Sequence, residues 1–240
     1  MNKNEIWISE CFLSIQGEGP ETGTPTIFVR VFACNMKPPC PWCDSMYAVK
    51  KTDDTSQRVP VESVVNTIKS LECLDVTFTG GEPLMYKDQI YSIMKMLSLC
   101  DDYKFHFETN GLAKPVLGWE EEFDITYSVS PKFHALTLKE NQHLKKECGT
   151  YIGMLRFWCT FLKKNMCLKF VYEGPETIEK IKLLRRMLMG LDSGIDIYLM
   201  PEGITFDQDK YKECADMCVK YGFKMSSRLH NIIWGSKRGV

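Results

Sequence analysis

A repeated order of segments constrains the fold of this chain more tightly than any single residue does. Short apolar runs, rich in β-branched and aromatic residues, occupy 27–32, 75–78, the stretch around Phe105 and Phe107, 125–129, 167–172 and 195–200. Each run ends in a polar tip or one marked by Gly and Pro. The first ends in a cysteine segment, and the others in Thr79-Gly80-Gly81-Glu82-Pro83, Glu108-Thr109-Asn110-Gly111, Ser130-Pro131-Lys132, Glu173-Gly174-Pro175 and Pro201-Glu202-Gly203. Apolar residues at helical spacing fill 59–71 behind Pro60, then 87–99, 177–189 and 207–221. Strands that alternate with helices of about 10 to 15 residues predict an α/β fold with a parallel sheet. Ligands bind such sheets at the carboxyl ends of the strands. The polar tips are therefore expected to converge on one face.

Other segments complete the pattern. Residues 6–12 have strand character, and 14–24, SIQGEGPETGT, form a loop punctuated by Gly and Pro. Such a loop brings backbone amides close to a ligand, or else serves as a surface hairpin. Residues 50–58 read as a polar connector. The interval between Lys132 and Cys167 is longer than a connection of this kind requires. Within it Tyr151, Leu155, Trp158 and Leu162 keep helical spacing, which predicts an extra helix covering the sheet or a partner subunit. The whole chain is expected to form one domain, residues 1–240.

The first tip carries the chemistry. In FACNMKPPCPWCDS, Cys34, Cys40 and Cys43 lie close together on a stretch broken by prolines. Thiolates so placed suit an iron–sulfur cluster, and a cube of four irons held by three cysteines leaves one iron open to another ligand. A structural zinc site would call for a second pair of ligands, and a redox dithiol would use Cys40 and Cys43 and leave Cys34 without a role. Of the eleven cysteines, Cys11, Cys73, Cys100, Cys148, Cys159 and Cys167 read as small core residues. Cys214 and Cys218, one helical turn apart, could share a ligand face.

A formal net charge of −1 gives no electrostatic case for nucleic acid or an anionic membrane as partner. No charged start leads into an apolar leader, and no run of about 18 apolar residues occurs. The expectation is a soluble, cytoplasmic protein acting on a small molecule.

With these residues in view, the chain resembles the radical S-adenosylmethionine (SAM) superfamily, whose cluster loop follows the first parallel strand. The usual spacing there is three residues and then two; here five separate Cys34 from Cys40, and two separate Cys40 from Cys43. Ser14-Ile15-Gln16-Gly17-Glu18-Gly19, Phe28-Val29-Arg30, Cys40-Pro41-Trp42-Cys43-Asp44-Ser45 and the Gly-Gly-Glu-Pro, Glu-Thr-Asn-Gly and Ser-Pro-Lys tips together narrow the resemblance to the 7-carboxy-7-deazaguanine synthases. This implies a partial (β/α)6-type barrel and contraction of 6-carboxy-5,6,7,8-tetrahydropterin to 7-carboxy-7-deazaguanine with loss of ammonia. It also implies a [4Fe-4S] cluster, SAM and Mg²⁺ as cofactors, an electron donor such as flavodoxin or ferredoxin, and a homodimer.

Residue by residue, the resemblance implies that Cys34, Cys40 and Cys43 bind the cluster and Ser45 binds Mg²⁺. Ile15, Gln16, Gly17, Glu18, Arg30 and Thr79 would meet the pterin, with Val240 as a further candidate through its terminal carboxylate. Gly80, Gly81, Glu108, Asn110, Ser130, Pro131, Lys132, Met200, Pro201, Glu202 and Gly203 would meet SAM. Arg228-Leu229-His230 and the tail from Trp234 also resemble the family, although His230 reads first as a core or hydrogen-bonding histidine. Two other readings stay open: a glycyl-radical activating enzyme and a non-enzymatic metal-binding module.

Overall fold

The computed structural model describes residues 4–49, 56–133, 151–188 and 194–240. Its centre is one nine-stranded sheet: β1 (Glu5–Ile15), β2 (Pro25–Val31), β3 (Gln57–Pro60), β4 (Asp75–Gly80), β5 (Lys104–Thr109), β6 (Asp124–Val129), β7 (Met166–Tyr172), β8 (Asp196–Pro201) and β9 (Lys224–Met225). The strand order is β3-β1-β2-β4-β5-β6-β7-β8-β9. From β2 to β9 every pairing is parallel, whereas β1 pairs antiparallel with both β2 and β3. The sheet runs from one edge to the other without closing, so the expected partial barrel is what forms.

The helices are α1 (Val61–Ser70), α2 (Lys87–Ser98), the single turn α3 (Trp119–Glu122), α4 (Tyr151–Phe161), α5 (Glu176–Met187), α6 (Gln208–Tyr221) and α7 (Leu229–Trp234). Sequence signals set several of their ends. Asp207 accepts hydrogen bonds from the main chain of Asp209 and Lys210 and so caps α6, which stops at left-handed Gly222. Val59 and Pro60, read above as the start of a helix, instead belong to edge strand β3, where they pair with Ile6 and Glu5. The helix begins one residue later, because proline can precede or open a helical turn but cannot donate inside it.

Strand periodicity divides the sheet into two faces. Ile27, Val29, Val31, Val76, Phe78, Phe105, Phe107, Tyr127, Leu168 and Phe170 are buried in the core beneath the helices. An aromatic ladder crosses this layer: Phe78 to Phe107 at 5.1 Å between ring centres, Phe107 to Tyr127 at 5.2 Å, and Tyr127 edge-on to Trp158 at 5.1 Å. Trp158 belongs to α4, so the extra helix covers the sheet.

Among the cysteines read as core, Cys159 and Cys167 are buried, and Cys11 and Cys73 are half-buried. Cys100 is exposed, 3.0 Å from the Lys69 ammonium, a correction that follows from its place just past the end of α2. Cys214 and Cys218 lie within the apolar core, and among the described residues no metal ligand set includes them. Cys148, Met189, residues 50–55 of the connector and residues 134–150 of the long interval lie outside the described residues.

Trp158 is fully buried, and its indole N–H donates to the Ala113 carbonyl at 3.1 Å. Replacing Trp158 with Ala is expected to lower unfolding free energy by about 3 to 5 kcal/mol. The urea midpoint should fall with little change in slope.

Candidate active site

The opposite face of the sheet is polar at the same periodicity. Phe28, Arg30, Thr79, Glu108, Ser128, Lys169, Val171 and Met200 all line one cavity of about 810 Å³, and the loops at the strand ends close around it. Register aligns the row: Arg30 lies opposite Thr79, and Glu108 opposite Ser128. Every residue expected at the site lines this cavity except Gly17, Pro131 and Pro201, each of which adjoins one that does.

The cysteine loop is tied at its base. Ala33 N–H donates to the Ala48 carbonyl at 2.8 Å, and Cys43 N–H donates to the Cys40 carbonyl at 3.1 Å. Cys34 Sγ accepts from Met36 N–H at 3.5 Å and from the Asn110 amide at 3.7 Å. Burial pushes the Cys34 thiol up to about 11, and burial likewise raises Cys40 and Cys43. Lys132 acts against that rise at Cys40, and Lys132 and Arg30 do so at Cys43. Among the described residues no group of three or more Cys, His, Asp or Glu is drawn tightly enough to hold a single metal ion. The three thiols line one cavity, a donor set that fits a cluster wider than one ion.

Gly80 and Gly81 have a packing reason that sequence reading did not identify. The Gly81 and Glu82 N–H groups donate to the carbonyls of Val31 (3.1 Å) and Ala33 (2.9 Å), which brings this turn against the root of the cysteine loop. A Cβ on Gly81 would stand 1.9 Å from the Ala33 carbonyl oxygen, and one on Gly80, whose φ is +117°, 2.2 Å from that of Val31. The Glu82 carboxylate accepts from Thr109 Oγ1 (2.7 Å) and from the main chain of Asn110 (2.9 Å) and Leu84 (3.2 Å), joining the β4 and β5 tips. Burial dominates its chemistry and raises it to about 7, against those three donors. Tyr151 of α4 accepts from Lys132 N–H and donates to the Asn110 carbonyl, so it sets the β5 and β6 tips. Ser130 accepts from the Lys132 ammonium at 2.8 Å.

A second network faces the strand interior. Glu108 accepts from Thr79 Oγ1 at 2.6 Å and Gln16 Nε2 at 3.3 Å, so its carboxylate stands with the residues expected at the pterin and not with those expected at SAM. Glu18 is paired with Lys169 at 2.5 Å and with Arg228 at 3.2 Å. Burial would raise Glu18, but Lys169, Arg228 and His230 outweigh it and hold the carboxylate below its ordinary range. Burial would lower Lys169, but Glu18 and Glu108 hold it above the ordinary lysine range. Lys169 is the cation that sequence reading missed; its signal was a single Lys at an alternate position within an apolar run.

The third group surrounds Arg30. Its Nε donates to Glu10 at 3.2 Å, and its Nη1 to Ser45 Oγ at 3.2 Å. Glu10 also accepts from Tyr47 (2.8 Å) and from Arg238 of the tail (2.7 Å), and Arg238 stacks 3.7 Å from the Tyr47 ring centre. Val240 lines the same cavity. Glu10, Tyr47 and Arg238 had no signal in local pattern, because long-range pairing brings them together. Glu202 is paired with Lys210 at 2.7 Å.

A strand-edge cavity with three cysteines at its mouth is the arrangement of a radical SAM enzyme, and the Radical SAM superfamily model matches residues 29–124. The chain is 36% identical over 237 residues to the 7-carboxy-7-deazaguanine synthase of Thermoplasma acidophilum, covering 97% of this chain and 99% of the relative. It is also 36% identical to that of Clostridium acetobutylicum, covering 97% and 98%. The crystal structure of QueE from Escherichia coli superposes with a TM-score of 0.67 at 22% identity, over 94% of this chain and 95% of that one. The chain belongs to the 7-carboxy-7-deazaguanine synthase family.

Two outcomes follow from the tip geometry. Gly81→Ala should destabilise the protein by about 2 to 3 kcal/mol, because backbone and not a flexible side chain blocks the methyl group. Thermal unfolding and iron content after reconstitution check it. Glu82, raised to about 7 from an ordinary 4.5, binds its proton more tightly folded than unfolded. Its contribution to stability should therefore fall as pH rises between those values, by at most about 3 kcal/mol. Denaturation of wild type and Glu82→Gln across pH 4.5 to 7 should show that component of the slope only in the wild type.

Proposed function

We propose that this chain contracts 6-carboxy-5,6,7,8-tetrahydropterin to 7-carboxy-7-deazaguanine with loss of ammonia, in 7-deazapurine biosynthesis of the queuosine type. The observation that carries the reading is the paired arrangement on the polar face: Glu108 held by Gln16 and Thr79, with Arg30 opposite Thr79 in register. A carboxylate suits the N–H edge of the pterin's pyrimidine ring, and a guanidinium fork suits its carboxylate.

Cys34, Cys40 and Cys43 would hold a [4Fe-4S] cluster. Bound together and reduced by one electron from the donor, the cluster and SAM would supply the hydrogen-abstraction chemistry that acts at C6 of the pterin. The chain's own residues do the rest by binding and orienting. Gly80, Gly81, Asn110, Ser130, Lys132 and the tip at Met200 to Gly203 frame the SAM half of the cavity. Ile15, Gln16, Thr79 and Glu108 frame the pterin half, and Gly17 lets His230 pack behind them, since a Cβ there would lie 2.0 Å from the imidazole. Pro131 and Pro201 fix the backbone of their tips. Glu18, already paired with two cations, positions this half by charge. Ser45 Oγ stands beside the Asp44 carboxylate at 2.9 Å, a pair of hard oxygens that would hold Mg²⁺ once Arg30 swings from Ser45 to the substrate. Val240 would border the same half. The protein is proposed to work as one domain in a cytoplasmic homodimer, with flavodoxin or ferredoxin as electron donor.

The test is an anaerobic assay of reconstituted protein with SAM, reductant, Mg²⁺ and the pterin, read by mass spectrometry. Product is expected from the wild type and none from Cys40→Ala. Glu108→Gln should raise the pterin KM at least about tenfold. Cleavage of SAM to 5′-deoxyadenosine with no deazaguanine would sink the substrate assignment and leave the radical SAM assignment in place.

A further inference from the structure

The segment that precedes and opens α7 lies against the loop after β1. Gly19 N–H donates to Ser226 Oγ at 2.7 Å, and Leu229 N–H to the Gly17 carbonyl at 2.9 Å. From the middle of this segment the Arg228 guanidinium reaches three separate parts of the chain. Its Nε donates to Glu18 at 3.2 Å, its Nη1 to the Gly203 carbonyl at 2.6 Å, and its Nη2 to the Asp44 carboxylate. Its main-chain N–H donates to Tyr211 Oη at 3.1 Å, which fixes the segment to α6. Arg228 is 8% exposed, so these contacts are made largely out of water.

Each acceptor stands for a different part of the site. Glu18 follows Gln16 on the loop that frames the pterin, Asp44 follows Cys43 in the cysteine loop, and Gly203 closes the β8 tip. We propose that Arg228 is a positioning residue that locks these three parts together, so that substrate held by the first is registered against the cofactors held by the other two. This rests on the function proposed above. The fork suits the task because its donors diverge in one rigid plane, whereas a lysine offers one flexible point charge that cannot serve three separated acceptors. Registration matters here because hydrogen transfer between two bound molecules depends steeply on their separation, and an error of about 1 Å can cost about a hundredfold in rate. Lys169 cannot substitute: it grips Glu18 from β7 at 2.5 Å, and its other ion pair is to Glu108 at 3.9 Å.

The experiment compares reconstituted wild type, Arg228→Lys and Asp44→Asn. Pterin KM and kcat, and product formed per 5′-deoxyadenosine, are measured alongside amide hydrogen exchange of the same preparations without pterin. Both variants are expected to raise pterin KM about tenfold, within the usual range for coupled sites, and to lower product per 5′-deoxyadenosine at least about fivefold. Exchange should speed up in residues 16–19 and 40–45 together and stay unchanged in β4 and β5. The double variant should add little to either single one, as expected for one shared contact. Faster exchange in only one of the loops, or an unchanged product ratio in Asp44→Asn, would overturn the proposal, since a residue that merely packs does not join the two. Asp44 also stands beside the oxygens that would hold Mg²⁺, so should Arg228→Lys fail to fold, the deciding readout is exchange of residues 16–19 in Asp44→Asn without Mg²⁺ or pterin, a loop that Asp44 reaches through Arg228. If wild type cleaves SAM but forms no deazaguanine, the functional reading fails, and the exchange data alone decide whether Arg228 couples the loops.

Discussion

The whole site depends on the alternation of side chains across a sheet that is covered on one face and open on the other. Parallel strands packed under helices must be apolar at every second position. The intervening positions are free of that demand only because the barrel stays open and its concave side is a cavity. Arg30, Thr79, Glu108, Ser128 and Lys169 occupy those positions. A one-residue slip of β2, β5 or β7 would exchange a charged group for Val29, Phe107 or Phe170 and place the charge in the core layer. Burial of the ladder from Phe78 to Trp158 therefore fixes the placement of the charges on the other side.

Charges so placed cannot stand alone. The interior carboxylates are each matched, Glu18 by Lys169 and Arg228, Glu108 by Thr79 and Gln16, and Glu10 by Arg30, Tyr47 and Arg238. Glu82 is the exception in kind: it faces three hydrogen-bond donors, but burial prevails and raises it to about 7. Partnered groups hold fixed geometry at low dielectric, which is what a site needs in order to bind a polar, carboxylate-bearing molecule without reorganising. The cations in turn span the fold, so the networks are also the means by which separate loops find their relative positions.

The parts of this arrangement legible in sequence were those written in local pattern. Strand ends with Gly, Pro and polar tips announced the edge at which ligands gather, and the cysteine spacing announced what gathers there. Helical spacing at Tyr151, Leu155 and Trp158 foretold α4 but not that Tyr151 would tie Lys132 to Asn110. Lys169 was visible only as a lysine interrupting an apolar run, and the strand's period of two would have placed it opposite the core. Glu10 and Tyr47 carried no signal, and Arg228 and Arg238 were visible only within the C-terminal stretch that resembles the family, with no sign of what they pair with. They meet through residues 37 to 228 positions apart, and no local propensity encodes such a meeting. Edge strand β3 was read as part of a connector and a helix, because four residues with two polar side chains carry almost no strand signal.

The unusual cysteine spacing follows from where the loop is held. Its root is pinned twice, by Ala33 to Ala48 and by Glu82 to Ala33, and the Cys40 to Cys43 turn closes on itself with one main-chain hydrogen bond. Cys34 is fixed next to that root and is contacted by Asn110 from the β5 tip. The residues between Cys34 and Cys40 thus bridge two anchored points. Adding two residues to a loop already closed at both ends costs only a few tenths of a kcal/mol in entropy. What the site constrains is the position of three sulfurs against Lys132, Asn110 and the glycine turn, and the number of residues between the first two is free to change so long as both anchors stay.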